Sequence, residues 1–281
     1  MYPSSEARDA SADEPDQGTA MATHLDAFDR VVCINLDERT DRWEQMQDTV
    51  APLLGRATLE RFSAVKPNLA KAAVHNGRAG CLLSHRRVIE DALRDGLDSV
   101  LVFEDDVHFA PACDHRLNTT LQTLHTTPWS VFYLGFTPKA PLLPAGPGLV
   151  QTFGGTTTHA IAYHRRGMPQ MLQRLPDEAD VLRFLSRYKS LDRFYWQHLA
   201  PALPCYAANP LIAFQRDDFS DIQQQALPSN EAESTDAFAR QLRPADTRAA
   251  RLRIGLSLGV NRVCYRTDAL RRAWSRSVEP A

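Results

Sequence analysis

The chain predicts an α/β fold with a mostly parallel central sheet flanked by helices, and three observations carry that reading. Short apolar runs of strand length recur at residues 30–36, 99–103 and 130–134. They are nearly continuous rather than alternating, as expected of strands buried on both faces. Between them lie stretches with apolar residues at helical spacing, and alternation of strand and helix is the pattern of a sheet with crossover helices. A length of 281 residues at 43% hydrophobic composition allows one substantial core with tails.

Taken in order, residues 1–26 are rich in Asp, Glu, Ser, Ala and Pro and nearly lack large apolar groups. Such a segment cannot offset the entropy of ordering, and it reads as a disordered acidic tail. A single domain is expected over 27–230. Its first strand, 30–36, leads through the polar stretch 37–42 into a helix, and a second strand is expected near 58–65. Apolar positions 82, 83, 88, 89, 92, 93 and 97 form one helical face over 80–97, with Gly96 as its stop. The strand ending at Phe103 follows directly. After the strand 130–134, a Pro/Gly-rich excursion containing Pro138, Pro141, Pro144, Gly146, Pro147 and Gly148 reads as a loop over a ligand site. A strand at 158–163, helices between 168 and 199 and an apolar stretch at 204–214 complete the domain. Residues 231–281 read as a basic helical segment, since 248–276 holds eight arginines against the single acid Asp268.

A formal net charge of −2 argues against wholesale nucleic-acid binding. Five scattered cysteines make no disulfide framework and no CxxC pair, which fits a reducing cytoplasm. No run approaches the ~20 apolar residues needed to cross a bilayer, so a soluble or peripherally bound protein is expected. The basic C-terminal segment suits contact with an anionic membrane surface, and equally a helical cap packed on the domain.

Chemistry is concentrated in three blocks. Glu104-Asp105-Asp106 follows an apolar strand, where an open α/β sheet offers a ligand crevice. Three adjacent carboxylates repel one another, and a hard divalent cation such as Mn²⁺ or Mg²⁺ sharing its shell with a diphosphate would balance them. The same acids also suit a polar strand exit that caps the next helix. Arg39 and Arg42, three apart after the first strand, can face one phosphate or ribose; pairing with Asp41 is the plainer alternative. Ser84 and His85 are expected in the first turns of the long helix, where backbone N–H groups and the dipole favour anions. Cys81 and His85 are four apart and can chelate one metal, but a structural zinc site needs about four ligands and no companion pair is apparent.

Together these blocks resemble glycosyltransferase family 25, which includes bacterial lipooligosaccharide galactosyltransferases and animal collagen galactosyltransferases. Asn35-Leu36 with Arg39, Asp41 and Arg42, then Gly80-Cys81 with Ser84-His85, then Glu104-Asp105-Asp106 match in order and approximate spacing. Looser matches follow at Thr158-His159-Ala160, where Ile161 replaces a usual aromatic, at 191–194 and at 219–222.

The resemblance implies a GT-A-like fold, a UDP-sugar or related donor, inversion at the anomeric carbon, and a divalent cation held at Glu104 and Asp106. Asn35, Arg39, Arg42, Ser84, His85 and Asp105 are the expected donor contacts. Asp192 is the candidate base, with a helix-capping role as its alternative, and Asp217, Asp218 and Asp221 are its rivals. His159 and His164 are candidates for a metal or phosphate contact and are otherwise ordinary core or surface histidines. The acceptor would be a saccharide or glycolipid of lipopolysaccharide or another surface glycan. A metal-dependent phosphohydrolase would explain only the acidic block, and a non-catalytic nucleotide-sugar-binding protein would not need a base.

Overall fold

The computed structural model describes residues 24–69, 73–220 and 225–242. Most of the acidic N-terminal segment, Asp221 and the arginine-rich stretch 248–276 therefore lie outside the described residues. The elements are β1 (Arg30–Asn35), α1 (Thr40–Val50), β2 (Leu59–Ser63), α2 (Ala73–Arg94), β3 (Ser99–Glu104), β4 (Val107–Phe109) and α3 (Asp114–His125). There follow β5 (Val131–Pro138), β6 (Leu142–Gly146), β7 (Leu149–Thr152), β8 (Gly155–His164), α4 (Met168–Leu172), α5 (Val181–Tyr188) and α6 (Leu191–Phe194). A π-helical turn at Tyr195–Leu199, β9 (Cys205–Ala208), β10 (Ala213–Gln215), β11 (Asp218–Ser220), β12 (Gln225–Leu227) and α7 (Glu231–Gln241) complete the set.

The expected α/β class is what forms. Among the described residues the main sheet has eight strands in the order β2-β1-β3-β8-β5-β9-β7-β6. β1 pairs in parallel with β2 and β3, and β5 with β9, whereas β8 lies antiparallel between β3 and β5. Every residue of β5 is buried, as are the first five of β3, so the continuous apolar runs do mark central strands.

The excursion after residue 134 is more ordered than a loop. β5 continues to Pro138, and β6 and β7 form a hairpin in which Gly146 and Gly148 adopt positive φ. β6 is the sheet edge, the position at which a strand tolerates a proline such as Pro144. α7 closes the fold by packing on β5, and the Ser234 and Thr137 hydroxyls meet at 2.8 Å.

The long helix also differs from expectation, because it begins at Ala73 rather than Gly80. Gly80 stands inside it for a packing reason: a Cβ there would lie 2.4 Å from the carbonyl oxygen of Val65. The same approach lets the Ser84 hydroxyl accept the Val65 N–H at 2.8 Å. Helix and β2 exit are thus in direct backbone contact beside the acidic block.

In an ordinary helix interior Gly→Ala adds up to about 1 kcal/mol of stability. Here the sign reverses, and Gly80→Ala is expected to lower stability by about 1–3 kcal/mol, as overpacking does. Urea unfolding checks this, and a stabilised variant would contradict the close approach.

Candidate active site at the carboxyl edge of the sheet

Parallel β1 and β3 end side by side, with Ile34 opposite Glu104, so Asn35 and the acidic block emerge at one edge. β8 runs the other way and brings its beginning to that edge: Ala160 pairs with Phe103, which sets Thr158 beside Glu104. The strand ends and α2 enclose a cleft of about 370 Å³. Its lining includes Arg42, Lys66, Cys81, Ser84, His85 and all three acids, with Ile34, Leu36, Ala64, Val65 and Pro67 as its apolar wall.

The three carboxylates have different partners. Asp105 is held by protein donors: Asn35 Nδ2 donates to Oδ2 at 2.7 Å and Arg42 Nη1 to Oδ1 at 3.0 Å. Burial raises the Asp105 carboxyl above its ordinary value, although Arg42 and Asn35 oppose the rise. Glu104 turns toward β8 and α2, accepting the Thr158 hydroxyl at 2.7 Å. Burial pushes its pKa up, but the His85 imidazole and the Thr158 hydroxyl outweigh this and hold it below the usual range. Asp106 accepts Gln215 Nε2 at 3.0 Å through Oδ2, while its buried Oδ1 has no hydrogen-bond partner. Burial, then the charges of Glu104 and Asp105, raise its pKa to about 7.

That orphaned, raised carboxylate fits the cation the sequence called for. Glu104 and Asp106 supply hard oxygen donors on the cleft wall, and Asp106 has an oxygen that no protein group satisfies.

The other expected donor contacts separate. Arg42 is buried and forms ion pairs with Asp105 and, through Nε at 3.2 Å, with Asp218. Arg39 pairs with Asp41 at 2.9 Å, as the plainer reading had it. Asn35 is saturated: besides Asp105 it serves the Arg39 carbonyl, and its Oδ1 accepts Arg61 Nε. Ser84 and His85 do not lie at the helix N-terminus, because α2 starts about three turns before them. Ser84 Oγ instead donates to the Gly80 carbonyl at 2.7 Å, so the reasoning from the helix dipole fails there.

Asp192 lies at the start of α6, half-buried. Its Oδ2 accepts the Thr157 N–H at 3.1 Å, and its Oδ1 accepts the Ser190 hydroxyl and the Arg193 N–H at 2.8 Å. Thr157 has positive φ (69°), an uncommon backbone for a β-branched residue, which aims its N–H at this carboxylate. Asp192 is near the acidic block: burial first, then the charges of Glu104 and Asp192, push the Cys81 thiol well up. Of the rival bases, Asp218 is tied to Arg42 and Arg216, and Asp217 accepts the Ser229 N–H. His159 Nε2 faces the Ala213 carbonyl at 3.3 Å, and burial lowers its pKa to about 4. His164 pairs with Ser99 at the opposite end of the sheet, far from the acids.

Gln215 and Arg216 were not anticipated. Arg216 Nη2 donates to the Asp105 carbonyl at 2.7 Å, and its backbone N–H to that of Asp106 at 2.8 Å, pinning the turn after β3. The signal was available: like the acidic block, they follow an apolar run at the end of a strand.

A mixed α/β sheet with an acidic strand end beside a cleft agrees with the fold that the sequence resemblance implied. Residues 28–134, which contain all three blocks, match the family model described as glycosyltransferase family 25 (LPS biosynthesis protein). Over residues 28–134 the chain is therefore similar to glycosyltransferase family 25. It is 28% identical over 225 residues to the inactive glycosyltransferase 25 family member 3 of Homo sapiens, covering 66% of this chain and 36% of that protein. It is 25% identical over 250 residues to procollagen galactosyltransferase 1-A of Xenopus laevis, covering 75% of this chain and 40% of that one. The chain thus spans well under half the length of these relatives. Among solved structures, a glycosyltransferase involved in glycosylation of the PBCV-1 major capsid aligns with TM-score 0.42 and 10% identity, over 69% of this chain and 95% of that one.

The raised Asp106 pKa has a measurable consequence. Between the ordinary carboxylate value of about 3.9 and about 7, the folded chain holds a proton that the unfolded chain has released. Stability in metal-free buffer therefore falls as pH rises through that window. Asp106→Asn, which cannot ionise, should be more stable than the wild type by at least about 1 kcal/mol at pH 8, and the gap should close toward pH 4. Thermal melts across that range in chelator check it, and a gap independent of pH would contradict it.

Proposed function

We propose that this protein is a metal-dependent inverting glycosyltransferase that moves a hexose, galactose by family, from a UDP-sugar to a saccharide acceptor. The observation that carries the reading is the division of labour within the acidic block: Asp105 is held by Asn35 and Arg42, while Glu104 and Asp106 present oxygens at the cleft. A divalent cation, Mn²⁺ or Mg²⁺, bound by Glu104 and Asp106 would neutralise charge developing on the leaving nucleotide diphosphate. Lys66 and Arg42 add positive charge to the cleft wall, and its apolar side offers a dry surface for a nucleobase.

Asp192 is the proposed base. Its hydrogen-bond donors are a hydroxyl and two backbone amides, all neutral, whereas Asp218 is committed to two guanidinium groups. In an inverting displacement it would take the proton of the acceptor hydroxyl as that oxygen attacks the anomeric carbon and the C–O bond to diphosphate breaks. Amides of Thr157 and Arg193 orient it for that role. A glycolipid or lipopolysaccharide acceptor, cytoplasmic action at the inner face of a membrane, and a membrane contact by the basic segment extend the proposal. Among the described residues no helix is long and apolar enough to cross a membrane.

The word inactive in the name of the human relative favours a second reading, a protein that binds nucleotide sugars without turning them over. Incubation with a panel of UDP-sugars, Mn²⁺ and saccharide acceptors separates the two. Transfer is expected to require an acceptor and to fall about 10²- to 10⁴-fold in Asp192→Asn with donor binding retained. Donor binding with no transfer to any acceptor supports the second reading, and nucleotide-sugar hydrolysis indifferent to acceptor supports a phosphohydrolase.

A further inference from the structure

One buried group at the cleft is left over by the transferase reading. His85 is fully buried, its Nδ1 meets the Tyr163 hydroxyl at 2.9 Å, and its Nε2 has no hydrogen-bond partner. The nearest carboxylate oxygen, Glu104 Oε1, is 3.6 Å from Nε2, too far for a hydrogen bond. Cys81 lies one turn earlier on the same face of α2, and the ligand atoms of Cys81, His85 and Glu104 all fall within 4.8 Å of one another. All three residues line the cleft.

We propose that Cys81, His85 and Glu104 form a binding site for one zinc-class divalent cation, with its remaining coordination position open to the cleft. The sequence spacing alone supplied two ligands. The fold supplies the third by bringing the end of β3 against the middle of α2. Three protein ligands with one open position is the composition of an exchangeable zinc site rather than a structural one. Bonds of 2.0–2.3 Å in a tetrahedral shell put ligand atoms roughly 3.3–3.8 Å apart. The 3.6 Å between His85 and Glu104 already matches, and the widest gap needs to close by about 1 Å. Thiolate and imidazole select zinc over magnesium, so this donor set differs in kind from the oxygen pair of Glu104 and Asp106.

The surrounding hydrogen bonds suit the role. With Nε2 on the metal, the Nδ1 proton is donated to the Tyr163 oxygen, which also accepts the Tyr195 hydroxyl at 3.1 Å. Thr158 fixes Glu104 through Oε1. Cys81 releases its proton to solvent as the ion binds. The inference does not depend on the transferase reading, with which it shares Glu104 and His85, the latter an expected donor contact.

Cobalt(II) titrated into the metal-free full-length protein is the test, because a tetrahedral thiolate site gives a near-ultraviolet charge-transfer band and visible d–d bands. The expected result is saturation at one equivalent, displacement by Zn²⁺, persistence of the bands in Asp106→Asn and their loss in Cys81→Ser. Competition with a chromophoric chelator should show Zn²⁺ affinity at least about 100-fold weaker in Cys81→Ser, more than loss of a merely supporting residue usually costs. Should that variant fail to fold, alkylation of the wild type followed by peptide mapping gives the same answer, with Zn²⁺ protecting Cys81. A folded wild type without the thiolate band, a band surviving in Cys81→Ser, or equal alkylation of Cys81 with and without Zn²⁺ would overturn the proposal.

Discussion

The site depends on one buried ion pair, Arg42 with Asp105. Three successive carboxylates at a strand end cannot all stay charged and face one cleft without balance. Arg42 reaches the middle acid from α1, and Asn35 reaches it from the end of the neighbouring strand, so Asp105 is charge-paired and oriented. A buried ion pair contributes little net stability, yet removing one partner leaves an uncompensated charge that costs about 3–5 kcal/mol. Here it decides orientation. With Asp105 fixed, Glu104 lies against Thr158 and His85 while Asp106 lies against Gln215.

That pairing also gives Asn35 and Arg42 their physical meaning. They stand 70 and 63 residues from Asp105 in the chain, but parallel pairing of β1 with β3 sets their elements beside it. Arg216 completes the frame from the opposite side by holding the carbonyl of Asp105 and, through its N–H, that of Asp106. The turn carrying the acids is therefore braced from β1, α1 and the segment after β10. Preorganisation of this kind lets a site hold repelling charges before its ligand arrives, and the raised Asp106 carboxyl reflects its burial first and then the remaining repulsion.

Much of this was legible in the sequence because buried strands announce themselves as apolar runs and their ends as abrupt charge. The runs before Asp37 and Glu104 located two neighbouring strand ends, and the three blocks carried the family resemblance. Three things were not legible. Gly80 reads as a helix boundary by propensity, but its role is to admit the Val65 carbonyl, a tertiary contact with no local signature. The Pro/Gly-rich stretch after residue 134 reads as a loop, but prolines are tolerated at a sheet edge whose existence only the topology reveals. Antiparallel insertion of β8 between β3 and β5, which delivers Thr158 to Glu104, leaves no mark on the strand's own composition. Glu104, the third member of the proposed Cys81-His85 set, was hidden likewise, because only the packing of the end of β3 against α2 brings it there.

We propose that Asp105 is a positioning acid and that Asp106 binds a cation shared with a nucleotide diphosphate. Calorimetric titration of UDP into the protein with and without Mn²⁺ tests it most directly. The account predicts that Mn²⁺ tightens UDP binding at least about tenfold, a difference of about 1.4 kcal/mol, and that Asp106→Ala abolishes the enhancement. UDP affinity unchanged by Mn²⁺, or an enhancement that survives in Asp106→Ala, would contradict it.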